Sequence, residues 1–436
     1  MHSSDLRIFF RYVIPSMITM FIGGLYNIID SFFIGQAMGY EALAAINVTF
    51  PIFCLIFGMG DMISMGACIL ISQNRGAGNT QEENTVFSAM FGTAALASIL
   101  LSALLLYYVN PILLWLGAEP ELLSMAREYL VIILLGSILQ IMAICFMAAL
   151  RNDNHPVLAM WIISTGLIFN IFLDFILVWV LHWELFGAAL ATILAQMVPL
   201  TVSICFFSGN RTPLKFQIKK CIPDLHHIRI IIQNGFPSLG AHITIGAMLL
   251  FHNWQALRYG GIPGLAAYAV ICETESVASM VMQGIASGMQ PIASYFYGAQ
   301  QHMRNRKILR YGISLALLLG TVGTLVSILG CHFFPSILGV KEEAAKIAAR
   351  GLIISSPMFI ALGLIKVGSH YFQATQRILP ASILIHGDYA LILPLCLFGL
   401  PLVFGLDGVW AAMPISRFIL LGILIFCALF LRNTHR

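Results

Sequence analysis

Ionisable side chains set inside long apolar runs are the residues of this chain with chemistry to perform. They are Asp30, Asp61, Asp174, Glu273, Glu275, Lys366, Asp388 and Arg417, together with His242, His252, His370 and His386. A charge near the centre of a bilayer costs from roughly 3 to more than 10 kcal/mol, so each needs a partner, a water-filled cavity or a change of protonation. The helices of the first half offer no buried cation to neutralise Asp30 or Asp174. A proton, a metal ion or a cationic solute must do so for part of the time.

Asn170 and Asp174 are four residues apart and share one helix face. At ~1.5 Å of rise per residue, Asp30, Asp174 and Thr192 fall in one layer on the outer side of the midplane. Carboxylates, an amide oxygen and a hydroxyl suit Na+, or a carboxylate that carries a proton. The alternative is that Asp30 ends a helix near headgroups while Asn170 and Asp174 bond to their neighbours. Glu273 and Glu275 are two apart and point to different faces, so at most one faces a cleft. That one would hold a cationic solute or a proton, or else pair with Lys366 or a histidine. Asp388 and Arg417 are both mid-helix, which favours a buried pair. Asp61 has no basic neighbour in sequence, and the histidines show no metal-ligand spacing; His252 is the best candidate among them for pH sensitivity.

The elements that carry these residues follow from composition. Of 436 residues, 59% are hydrophobic and 10% charged, with a mean hydropathy of +0.90. Ordinary soluble domains are about 25% charged, so this excludes a soluble or disordered chain, a nucleic-acid-binding surface and a disulfide scaffold. Twelve apolar windows, each near the roughly 20 residues that cross a bilayer, fall between residues 9 and 431. None alternates with the period of a barrel strand, which predicts an all-α integral membrane protein of twelve transmembrane helices in two pseudo-symmetric six-helix lobes. The first apolar stretch lacks a signal-peptide cleavage site and is expected to be retained. With a cytoplasmic N-terminus, sixteen Lys and Arg fall in inner segments and five in outer ones, which places both termini in the cytoplasm. Residues 1–208 and 230–436 are expected to form the lobes, with 209–229 as a cytoplasmic linker. The nine cysteines are scattered singly and read as small interior residues.

Sliding the chain along itself by 222 residues gives an ungapped register. Pro15-Ser16 falls on Pro237-Ser238, Leu43-Ala44-Ala45 on Leu265-Ala266-Ala267, Gly66 on Gly288 and Gly76-Ala77 on Gly298-Ala299. Proline and glycine fix backbone geometry, so identities at them weigh more than shared leucines. Six helices precede the linker, so the repeats run parallel about an axis along the membrane normal.

The motifs D-S-F-F-I-G, A-L-A-A-I, I-S-Q-N-R-G-A-G-N, L-R-N-D-N-H-P, N-x-x-L-D and G-A-A-L-A-T, in this order and spacing, resemble the multidrug and toxic compound extrusion (MATE) transporters. The resemblance covers essentially the whole chain. It implies a secondary exporter of bulky amphipathic or cationic compounds, driven by H+ or Na+ through alternating access. It also implies that Asp30, Asn170, Asp174 and Thr192 carry the coupling ion. Asp153, before Asn154 in the fourth motif, departs from the family pattern and adds an acid at an inner helix end. Relatives that couple through the first helix of the second lobe use an acid there; this chain has none, and His252 stands opposite Asp30 in the repeat. Glu273, Glu275 and His252 are therefore candidates for a substrate or proton site of the second lobe. No enzymatic motif, cofactor or metal beyond Na+ is expected. Small molecules and membrane lipids are the expected partners, with no nucleic acid, and the chain is expected to be monomeric in a prokaryotic inner membrane. The rival reading, a flippase for a lipid-linked precursor, would require a strongly cationic cleft, for which the spans supply only Lys366 and Arg417.

Overall fold

The computed structural model describes residues 5–24, 34, 38, 42, 45–116, 118, 122–209, 212–217, 220–243, 245–246, 248–249, 251–337, 340, 343–429. Among them every regular element is a helix. The first half contains α1 (His2–Ala77), α2 (Thr80–Tyr107), the short α3 (Val109–Trp115), α4 (Pro120–Asn152), α5 (Pro156–Asp174) with a π-helical turn over Phe175–Val180, and α6 (Glu184–Ser208). The second half contains α7 (Leu225–Gly298), α8 (His302–Leu329), α9 (Phe333–Ile337), α10 (Glu342–Ser355), α11 (Met358–Ala374), α12 (Ile378–Gly387) with a π-helical turn over Asp388–Ile392, α13 (Leu393–Gly399), α14 (Pro401–Phe404) and α15 (Leu406–Asn433).

Among the described residues, these elements are long enough for twelve spans. Ten stretches of the described residues are long and apolar enough, α1 supplying two of them, Asp5–Gly24 and Ala45–Ala77. An eleventh is the pair α10 and α11, bent by 49°. The bend falls at Pro357, which has no N–H to continue the helical ladder. The twelfth comes from α7, whose helical geometry breaks at Gly261 (φ 60°, ψ −158°). Only glycine adopts that backbone readily, and the helix on each side of it exceeds the roughly 20 residues a bilayer requires.

Helix starts are specified locally. The Asn79 side chain accepts from Glu82 N (3.2 Å) at α2, and Asp224 accepts from His227 N (2.8 Å) at α7. Each satisfies an N–H that has no partner inside its helix. Pro156 stands in the first turn of α5, where a missing N–H costs nothing.

The chain forms two compact units. One comprises Met1–Phe21, Thr244–Ala293 and Gln301–Arg436, the other Ile22–Ile243 and Ser294–Gln300. Each unit thus takes the start of a long helix from the opposite half of the sequence. The second of these units has a core of Ile56, Ile63, Phe87, Met90, Ile141 and Cys145; the first packs Tyr268, Ile271, Leu397, Trp410 and Met413. Glycines let helices approach to backbone contact, as they do in membrane bundles. In the unit of Ile22–Ile243, a Cβ on Gly66 would lie 2.0 Å from Ile231 O, and one on Gly235 would lie 1.7 Å from Met62 O. In the other unit, a Cβ on Gly288 would lie 2.7 Å from Val13 Cα. Gly66 and Gly288 are register mates, as are Val13 and Gly235, so both units make one helix crossing from equivalent residues.

Candidate functional site

Asn170 and Asp174 lie in the last turns of α5 and are 2% and 1% exposed. Their four-residue spacing stacks them on one buried face, and the π-helical turn begins at the residue after Asp174. Such turns break the regular backbone ladder and recur at functional sites. α6 packs closely on α5 because Gly166 and Gly187 carry no side chain: a Cβ there would meet Pro199 Cδ at 3.3 Å and Leu177 O at 3.1 Å, respectively. Thr192 of α6 is half-buried and donates to Ala188 O (3.0 Å), leaving its oxygen lone pairs able to accept or to ligate. Asp30 lies outside the described residues. The packed helices α5 and α6 thus carry a carboxylate, an amide and a hydroxyl, groups of the kind that bind a proton or a weakly held monovalent cation. Among the described residues no group of three or more His, Cys, Asp or Glu could hold a metal.

The other unit contains a different arrangement. Glu273 is exposed and Glu275 buried, as their spacing requires. Glu275 Oε1 accepts from Arg417 Nη2 (2.9 Å), while Arg417 Nε pairs with Asp388 Oδ2 (2.6 Å). The guanidinium also sits 5.1 Å from the centre of the Tyr389 ring. One buried cation thus serves two buried carboxylates. Lys366 Nζ donates to Gln283 Oε1 (3.1 Å), and Gln283 Nε2 lies 3.2 Å from His370 Nε2. His252 is fully buried, stacked on Tyr268 at 5.1 Å, with Nδ1 3.1 Å from Met248 O.

Two further sites escape a reading of the sequence. His242 Nε2 and Asp61 Oδ2 are 2.6 Å apart, although 181 residues separate them in the chain. Near the junction of α1 and α2, Arg75 pairs with Glu83 (2.6 Å) and with Asp153 (2.7 Å), the acid that departs from the family motif. The start of α7 is tied to the start of α2 by His227, whose Nδ1 is 2.5 Å from Asp224 and whose Nε2 is 3.0 Å from Glu82. Burial opposes protonation of this ring, but hydrogen bonds and charge from Asp224 and Glu82 outweigh it and raise its pKa. Hydrogen bonds from His227 lower that of Asp224 in turn.

Twelve spans in two sequence repeats, with ionisable groups buried within them, define a repeat-built membrane transporter fold. The MatE family model matches residues 15–176 and again residues 237–398, a displacement equal to that of the internal repeat. The chain therefore belongs to the MatE family. It is similar to the multidrug export protein MepA of Staphylococcus haemolyticus (strain JCSC1435), with 24% identity over 99% of this chain and 95% of that one. It is 26% identical to MepA of Staphylococcus aureus (strain NCTC 8325 / PS 47), over 92% of this chain and 88% of that protein. A multidrug resistance MATE family transporter solved in an outward-facing conformation has the same fold, with a TM-score of 0.92 at 20% identity over 98% of this chain and 96% of that one.

Proposed function

We propose that the protein is a secondary multidrug exporter that moves bulky amphipathic or cationic compounds in exchange for H+ or Na+. The reading is supported by the double family match and by the export activity named for its relatives. The observation that carries its coupling step is the buried Asn170–Asp174 pair in a stretch, residues 156–208, that contains no Lys or Arg. Ion or proton binding at Asp30, Asn170, Asp174 and Thr192 neutralises a charge that is otherwise costly at that depth. It drives the cycle only in so far as one conformation binds the ion more tightly than the other. The exporter sits in a prokaryotic inner membrane with both termini in the cytoplasm, an orientation supported by the sixteen-to-five bias of Lys and Arg. The flippase reading needs cationic side chains left for an anionic headgroup, whereas Arg417 serves two carboxylates and Lys366 donates to Gln283.

The test is ethidium efflux from cells and vesicles with a sodium or a pH gradient imposed alone. One gradient should suffice for wild type, and Asp30→Asn and Asp174→Asn should each lower gradient-driven efflux at least tenfold. Wild-type rates in both variants would remove the site.

A further inference from the structure

Asp61 is the central residue of the 33-residue span Ala45–Ala77, so it lies ~24 Å from either end at ~1.5 Å per residue. Its partner His242 lies near the middle of the first part of α7, before the break at Gly261. The close pairing depends on Gly58, where a Cβ would meet His242 Cβ at 3.1 Å and Leu239 Cδ1 at 3.0 Å. Despite this depth the pair is open: the side chain of Asp61 is 42% exposed and that of His242 28%. A carboxylate so exposed at mid-membrane cannot face hydrocarbon without a large penalty, so its open side faces water.

The surface beside it is aromatic. Phe50 and Phe57 precede Asp61 by eleven and four residues, spacings that return to one face of a helix, and both rings are exposed (44% and 38%). A wet carboxylate below a stripe of rings offers a charge and a π surface together, the complement of an aromatic organic cation. Among the described residues, Arg151 and Cys145 of α4 lie within electrostatic reach of Asp61. The second repeat places Gln283 at the position of Asp61, and there a lysine donates to a neutral amide. The acid is thus present in one repeat only.

We infer that Asp61 and His242, with Phe57 and Phe50, form a protonatable binding site for the cationic end of an aromatic substrate. With neutral imidazole, the Asp61–His242 pair carries a negative charge that attracts the organic cation. Protonation of His242 turns the pair into an internal ion pair, and one monovalent cation leaves for one proton bound. The site uses residues separate from Asp30, Asn170, Asp174 and Thr192, and it rests on the exporter reading above.

Ethidium binding to the purified full-length protein, followed by fluorescence anisotropy between pH 5.5 and 8.5, tests this. Wild-type affinity should fall at least fivefold towards pH 5.5. His242→Gln should flatten the profile to under twofold between pH 5.5 and 8.5. Asp61→Asn should bind at least tenfold more weakly at pH 8.5, and Asp61→Glu should recover most of that loss. If Asp61→Asn does not fold, the His242→Gln profile decides alone, and one that follows wild type overturns the site. Ethidium bound with the expected profile but expelled by neither gradient would sink the exporter reading and leave the site standing. Gradient-driven efflux with both variants binding as wild type does would have the reverse meaning.

Discussion

The two repeats share a backbone plan but not their buried chemistry. Asp388 and Arg417, 2.6 Å apart, occupy the register positions of Gly166 and Ala195, where α5 and α6 meet with a built Cβ 3.6 Å from Ala195 O. Glu275 stands where the first repeat has Phe53, whose ring stacks on Tyr129 at 5.8 Å. Conversely, Asn170, Asp174 and Thr192 correspond to Ile392, Cys396 and Pro414. The polar groups of one repeat fall at apolar or neutral positions of the other. Duplication therefore preserved helix crossings, which depend on small residues, and left each copy free to place charge where its own task required. The second copy neutralises its carboxylates internally with an arginine. The helices that carry the Asn170–Asp174 pair contain no such residue, which suits them to take up a mobile ion.

The largest expected effect tests that contrast. Arg417→Ala leaves Glu275 and Asp388 buried without their shared cation and should cost about 3–5 kcal/mol in thermal unfolding of the detergent-solubilised protein. Replacing all three with Glu275→Gln, Asp388→Asn and Arg417→Met removes the unbalanced charge and should recover most of it, because an apolar or neutral set of similar volume is often as stable as a buried ion pair. A triple variant as unstable as Arg417→Ala alone would mean that the network does more than balance charge.

The shared helix crossing gives a smaller and graded effect. Gly66→Ala would place a methyl 2.0 Å from the backbone oxygen of Ile231, whereas Gly288→Ala would place one 2.7 Å from Val13 Cα. Both neighbours are backbone atoms and cannot rotate away. Each substitution should cost about 1–3 kcal/mol, as overpacking does, with Gly66→Ala the more severe. The reverse order in thermal unfolding would show that the two crossings differ in their ability to yield.

Much of this was legible in the sequence, for identifiable reasons. Hydropathy reports span number because a bilayer admits only helices and closed barrels, and the chain lacks the alternation of barrel strands; the repeat surfaced through Pro15, Gly66 and Gly76, whose backbone roles resist substitution. Asp388 and Arg417 could be anticipated because two opposite charges buried mid-helix have few other partners. The place of Glu275 beside them could not, since nothing in its neighbourhood records which helix it meets. The Asp61–His242 pair was hidden for the same reason: it depends on α1 and α7 touching at Gly58, and helix–helix contacts leave no local pattern. Hydropathy also reads residues 349–373 as one window, whereas Pro357 divides that span by a 49° bend. Its counterpart Leu135 lies within the unbroken α4.

The smallest effect concerns a helix-end contact made twice with its charges exchanged. His227 meets Glu82 at 3.0 Å, and at the equivalent register positions Asp5 meets Arg304 at 2.6 Å. Only the first contains an imidazole. Because hydrogen bonds and charge from Asp224 and Glu82 overcome burial and raise the folded-state pKa of His227, folding favours its protonated form. That contribution is complete below the ordinary histidine pKa and is lost as pH rises through the raised folded value. His227→Gln should therefore lower stability by ~0.5 kcal/mol at pH 6, the size of an exposed pair, and by nothing measurable at pH 9. Arg304→Gln should cost a similar amount at pH 6 and keep that cost at pH 9. Thermal unfolding of both variants at the two pH values separates them. A loss for His227→Gln that persists at pH 9 would assign the contact to hydrogen bonding by the neutral ring rather than to its charge.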